Sequence, residues 1–330
     1  MNAVSRSFSE HRASTSSMPE NDPLQGASAA MQEVFRLIER VGPTEAGVLL
    51  TGESGTGKGL AARSIHEFSA RRGKAFISIN CGAIPASLIE AELFGTEEAP
   101  EAVPARAGAF ERAHGGTLLL DEITELPKDL QVRLLRVLET GRFYRAGAST
   151  ESSCDVRFIA ATNRCPLQVV QSGQFREDLL YRLAVFPIEM PPLRDRADDA
   201  ELLAMHFLAE LNRHAKTQKR LSAPACAMLR QHSWPGNVRE LRNCIERAFI
   251  LADSTLELKQ PLVQNGGAER ERLDIRVGSR IHDMERSLIE ATLDYFKGNK
   301  RRAADALGCS LKTLYNKLNG YSQSQECANT

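Results

Sequence analysis

No apolar run in this 330-residue chain approaches the length needed to cross a membrane, and the opening residues lack a signal-peptide core, with Ser5, Ser7, Ser9, Ser14, Ser16 and Ser17 scattered among charges. Net charge is missing as well. The 42 basic and 42 acidic side chains cancel, so any affinity for nucleic acid has to come from local clustering. Cysteine forms no pattern: Cys81, Cys154, Cys165, Cys226, Cys244, Cys309 and Cys327 make an odd set with no Cys-x-x-Cys and no Cys/His cluster. That argues against a metal site and against a disulfide framework, and points to a reducing, cytoplasmic compartment. Tryptophan occurs once, as Trp234, in a place better suited to packing a turn than to touching a ligand.

What the chain has is an ordered pair of motifs. Gly52, Glu53, Ser54, Gly55, Thr56, Gly57 and Lys58 lie between a buried-strand run at Val48 to Leu50 and a helical pattern beginning near Leu60. Glycines at such a turn let backbone N–H groups close on phosphate oxygens, the helix N-terminus adds partial positive charge, and Lys58 reaches the terminal phosphates. The strict form of the pattern fails once. Gly59 stands where a Ser or Thr would offer a hydroxyl to magnesium, so the metal must rely on Asp121, phosphates and water. Further along, Thr117 to Leu120 reads as a central strand delivering Asp121 and Glu122. Two carboxylates ending such a strand are costly unless something cationic or protic meets them. The economical assignment gives Asp121 to Mg2+ and Glu122 to the attacking water, which makes the pair a site for ATP hydrolysis.

Five segments extend this reading: Gly52 to Lys58, Glu92 to Gly95, Gly115 to Glu122, Phe175 to Leu183, and Trp234 to Leu241. Their order resembles that of the sigma-54-dependent transcription activators, the NtrC-type AAA+ ATPases, over about residues 22 to 255. The resemblance implies that Asn80 is a switch holding the catalytic glutamate until ATP is bound, and that Asn163 is a first sensor. It implies that Arg176 and Arg182 are fingers acting on a neighbouring subunit's nucleotide, and that Arg239 is a second sensor on a lid. A finger contributed in trans implies a ring, a hexamer in this family. One segment departs from the family. Where it carries Gly-Ala-Phe-Thr-Gly-Ala to touch sigma-54, this chain runs from Thr96 to Ala107 with Glu97, Glu98, Glu101, Pro100 and Pro104, an acidic and stiffer tip.

The expected fold is α/β, with a disordered tail over 1–21, an AAA+ P-loop domain with a parallel sheet over 22–190, and a helical lid without strands over 191–258. A linker over 259–278 leads to a small all-α helix-turn-helix over 279–330. The opening residues are too few for a receiver or ligand-sensing domain, so control is expected through expression, a partner or DNA occupancy.

In the last fifty residues, an amphipathic helix from Ile281 to Phe296 should bury Met284, Leu288, Ile289, Ala291, Thr292 and Phe296. A short helix from Lys300 to Leu307, a turn at Gly308 and Cys309, and a third helix from Leu311 to about Leu318 capped by Ser310 complete a helix-turn-helix. Lys297, Lys300, Arg301, Arg302, Lys312 and Lys317 face a single acid, Asp305, a local excess suited to phosphates. This segment also resembles the Fis-type domain that ends those activators. Arg301, Ser310, Lys312, Thr313, Asn316 and Lys317 are the candidates for contact with double-stranded DNA, while Leu311, Leu314 and Leu318 should be core.

Two functions fit the residues. One is a ring ATPase bound upstream of promoters that remodels an RNA polymerase complex, of the sigma-54 form. The other is a DNA-binding regulator in which ATP sets oligomeric state and no work reaches sigma-54.

Overall fold

A strand such as Thr117–Asp121 can be buried at every position before its end only if both faces are covered, and the computed structural model covers them. The structure describes residues 24–97, 106–258, 281–296 and 299–326. The expected tail over 1–21, the loop tip over 98–105 and the linker over 259–278 lie outside them.

The chain runs α1 (Ala29–Val41), β1 (Val48–Thr51), α2 (Lys58–Glu67), β2 (Phe76–Asn80), α3 (Ala86–Phe94), α4 (Ala109–Arg112) and β3 (Thr117–Asp121). It continues with α5 (Lys128–Thr140), an antiparallel hairpin of β4 (Arg142–Tyr144) and β5 (Glu151–Ser153), β6 (Arg157–Thr162), α6 (Pro166–Gln171), α7 (Glu177–Leu183) and β7 (Phe186–Glu189). Five strands form a parallel sheet in the order β2-β3-β6-β1-β7. Side chains alternate across it: Leu118 and Leu120 join one core with Leu93, Phe94 and Phe110, whereas Leu119, Leu50 and Ile159 join the other with Met31, Ile38 and Ile65. Each such buried Leu or Ile contributes about 1.5–3 kcal/mol, enough for this run to fix the register of the central strands.

After a 3₁₀ turn at Leu193–Arg196 come α8 (Ala197–Ala215), β8 (Arg220–Leu221), α9 (Ala223–Gln231), α10 (Asn237–Leu251) and β9 (Thr255–Leu256). The helical lid is therefore not free of strands, because Arg220 and Leu221 pair in parallel with Thr255 and Leu256. Trp234 fills the turn before α10 as expected, only 1% exposed, with Nε1 donating to Leu229 O at 3.0 Å.

The chain divides into two compact units meeting between Lys259 and Gln260. The second holds α11 (Ile281–Tyr295), α12 (Lys300–Ala306) and α13 (Leu311–Glu326), the last running eight residues past the expected end at Leu318. Asn299 caps α12 by accepting from Arg302 N. Ile289, Ala303, Ala304 and Leu314 form its core. Leu288 and Leu311, expected inside, are 48% and 41% exposed, because three short helices bury only the narrow seam where they meet.

Candidate functional site

The site is assembled at the C-terminal ends of three neighbouring strands. β6 lies between β1 and β3, so the loop after β1, the carboxylates after β3 and Asn163 after β6 converge. The loop turns with Gly57 at φ 103°, which leads straight into α2 with no side chain capping the first turn. Its N–H groups are thereby left for an anion. Gly55 (φ 81°) is needed for a second reason: a Cβ there would sit 2.4 Å from Gly236 O of the lid.

Lys58 is 7% exposed, with Nζ donating to Gly52 O (2.8 Å) and Glu53 O (3.1 Å). Burial pushes its ammonium below the usual lysine range, while the charges of Glu122 and Asp121 pull it back up. Glu122 sits in the left-handed region at φ 51°, uncommon for a side chain of its size and typical of functional turns. Its Oε2 accepts from Asn163 N at 3.0 Å. Gly59 is open, with no atom within 4 Å of where a Cβ would stand.

Asn80 and Asp121 are partners in the β2–β3 register, and the asparagine contacts its neighbour: Nδ2 is 3.5 Å from Asp121 Oδ2, while Oδ1 accepts from Gly82 N and Ala83 N. In this geometry Asn80 lies against Asp121, and Glu122 accepts from the Asn163 backbone. Arg176 and Arg182 are exposed and bind elsewhere than the loop, Arg176 bidentate to Asp178 (3.0 and 2.6 Å) and Arg182 to Leu138 O (2.8 Å). Arg239 does reach the loop, donating to Ser54 Oγ at 2.9 Å.

Three residues that the motif reading passed over tie the lid to the loop. Arg194 makes a two-pronged pair with Glu53 (2.7 and 2.9 Å), which holds that carboxyl below its ordinary range. Asn237, fully buried at φ 52°, donates to Glu53 Oε2 and Ser54 O and accepts from Leu193 N. Buried Arg196 donates to Thr56 O at 3.0 Å, and its Nε has no partner among the described residues. Pro191 and Pro192 stand directly before Leu193. The arginines just after them were the available signal.

A phosphate ester fits these residues: left-handed glycines, an uncapped helix start, a buried lysine and an unsatisfied guanidinium N–H together match a polyanion. The carboxylate of Asp121 is placed beside the loop for a hard cation.

In the second unit, Arg301, Lys312, Thr313 and Asn316 are exposed. Ser310 is occupied as the cap of α13, accepting from Thr313 N at 3.1 Å. Lys317 is partly buried and ion-paired with Glu285 of α11. Lys300 sits 4.6 Å from the centroid of the Tyr315 ring, adding an aromatic to this surface that the charge count did not contain.

Family models match along the chain in order: a sigma-54 interaction domain over residues 24–189, an AAA+ ATPase lid domain over 194–269, and a bacterial regulatory protein, Fis family, over 280–321. The DNA-binding transcriptional regulator NtrC of Rhizobium meliloti (strain 1021) is 40% identical across 90% of this chain and 69% of its own. Regulatory protein LuxO of Vibrio cholerae is 42% identical, again over 90% and 69%. The crystal structure of NtrX from Brucella abortus in complex with ATP superposes with a TM-score of 0.67 at 35% identity, covering 96% of this chain and 72% of that one.

Proposed function

The chain belongs to the sigma-54 activator family, with its ATPase domain, lid and Fis-type helix-turn-helix, and from that membership we propose how its own residues carry out the work. It is an ATPase that regulates transcription by binding DNA and engaging the sigma-54 form of RNA polymerase. The reading in which ATP only sets oligomeric state is not favoured by these matches.

Gly52 to Gly57 bind the phosphates through backbone N–H groups, and Lys58 neutralises them. Asp121 would hold Mg2+, which would supply positive charge to offset the charge developing on the phosphates. Glu122 orients the attacking water and takes its proton. The Asn163 N–H on Glu122 Oε2 keeps that carboxylate aimed into the site. Asn80 steadies Asp121, and Arg239 reports closure of the lid on the loop through Ser54. Arg176 and Arg182 complete the site of a neighbouring copy, so the working form is a ring, hexameric in our reading. Arg301, Ser310, Lys312, Thr313, Asn316 and Lys317 make the DNA contacts. Residues 22–190 and 191–258 act as motor and lid, and 279–330 as the reader of DNA.

The observation that carries the proposal is the convergence of Lys58, Asp121, Glu122 and Asn163 at the C-terminal ends of β1, β3 and β6, while Arg176 and Arg182 bind elsewhere. Glu122→Gln should bind ATP without turning it over, and Arg182→Ala should be equally inactive. Mixed, the two should regain turnover, because a Glu122→Gln subunit still lends its finger to an intact site next door. Absence of recovery over a range of mixing ratios rules out the finger in trans, and normal turnover by Glu122→Gln alone rules out the glutamate.

A further inference from the structure

Leu314 of α13 is fully buried, whereas Leu311 in the turn before it is 41% exposed and Tyr315, one turn beyond Leu311, is 44% exposed. A single apolar side chain at a surface is ordinary. Here two of them stand one turn apart on the helix that carries most of the DNA-contact candidates, with exposed Lys312 and Asn316 next to them.

Both are held firmly. Ser310 Oγ accepts from Thr313 N at 3.1 Å and so fixes the first turn of α13, the part of a reading helix that meets base edges in the major groove. Tyr315 is braced from α12, because Lys300 Nζ lies 4.6 Å from its ring centroid and occupies one face of the ring. The surroundings are basic. Arg301, Arg302 and Lys312 are all exposed, so a partner that covers this apolar pair has to bring negative charge with it. A duplex does so, while a second copy of the same surface would bring like charge against like.

Base edges display donors and acceptors, and the Leu311 side chain has neither to answer them with. Within the major groove, the apolar group open to such a side chain is the 5-methyl of thymine. We propose that Leu311 and Tyr315 read thymine by packing against its 5-methyl group, while the polar residues beside them make the remaining contacts. The inference rests on the DNA-binding reading above and adds to it the base that this face selects.

The test uses the full chain to enrich sites from random duplex DNA, after which each thymine of the enriched site is replaced in turn by deoxyuridine, removing the methyl group alone. At one or more positions the replacement should weaken binding about threefold or more, as expected for burying one methyl. Leu311→Ala and Tyr315→Ala should bring the thymine-to-uracil preference at such positions close to one, and Tyr315→Phe should keep it. None of the three should change the slope of log affinity against log salt. Lys312→Ala should do the reverse, lowering the slope and keeping the preference. The proposal is overturned if no thymine is distinguished from uracil, or if Leu311→Ala leaves the preference intact. It is equally overturned if Leu311→Ala separates copies of the chain without DNA and the preference persists, because a second copy would then be what covers this face. Enrichment of no sequence by the unaltered chain is a different failure, which would overturn the DNA-binding reading and the proposal with it.

Discussion

His66 shows what a single buried side chain does to this fold. Its ring is 3% exposed, with Nδ1 2.9 Å from Thr117 Oγ1 and its centroid 5.3 Å from that of Phe76. Burial pushes its pKa below the ordinary 6.5, Glu67 opposing the shift and Arg63 and Arg157 adding to it. A histidine depressed in the folded state is neutral there while the unfolded chain takes up a proton. Stability is therefore full above 6.5 and is lost as pH falls toward the lowered value. Urea unfolding of the wild type should show that decline, and His66→Gln should flatten it. Little of this could be read from sequence. The glycines, Lys58, Asp121 and Glu122 were legible because phosphate chemistry needs those residue types close together along the chain. Arg194 and Asn237 were not, because their partners Glu53 and Ser54 lie far away in sequence and only folding brings them together. Arg157 reads as one more strand residue, yet it is 1% exposed and caps the carbonyls of Val41 and Gly42 at the end of α1.

Among elements, the join between α1 and the first turn of α8 rests on Asp199. This fully buried carboxylate accepts from Ala27 N (2.6 Å), Ser28 N (2.9 Å) and Ser28 Oγ (2.7 Å). Hydrogen bonds to charged groups contribute about 1.5–3 kcal/mol, so Asp199→Ala, which leaves those donors unmet, should cost at least about 2 kcal/mol in denaturant unfolding. The loop after α3 is the other element of consequence. Its stem is closed by Thr96 paired with Arg106, and Thr96 also bridges to Ala146 beside the β4–β5 hairpin. Carrying Glu97, Glu98 and Glu101 into an apolar contact means desolvating carboxylates, which disfavours binding by orders of magnitude if they stay charged and unpaired. The unmodified chain should accordingly engage sigma-54 less tightly than a chain with the apolar tip, even in the presence of a transition-state nucleotide analogue. Grafting Gly-Ala-Phe-Thr-Gly-Ala between Gly95 and Gly108 should strengthen binding about tenfold or more. Tight binding without the graft would show that the acidic tip is no obstacle.

For the whole molecule, the division at Lys259 and Gln260 separates hydrolysis from DNA recognition. Removing residues 279–330 should abolish specific DNA binding and leave turnover largely intact, as measured by gel shift and phosphate release on the same preparation. Neutralising Arg301 or Lys312 should each lower the slope of log affinity against log salt by about 0.9 if it meets one phosphate. The alternation of strands and helices made the parallel sheet legible at this scale, but its strand order depends on crossovers that no local pattern contains. That order governs synthesis too. β1 is laid down early, yet both its neighbours come late, Leu50 pairing with Ala161 on one side and Ile188 on the other. At about 5–20 residues per second, a ribosome takes roughly 7 to 28 s to deliver them. Through that interval the strand that launches the phosphate loop has two open edges, so nascent chains stalled before β7 should be the ones that chaperones and proteases find.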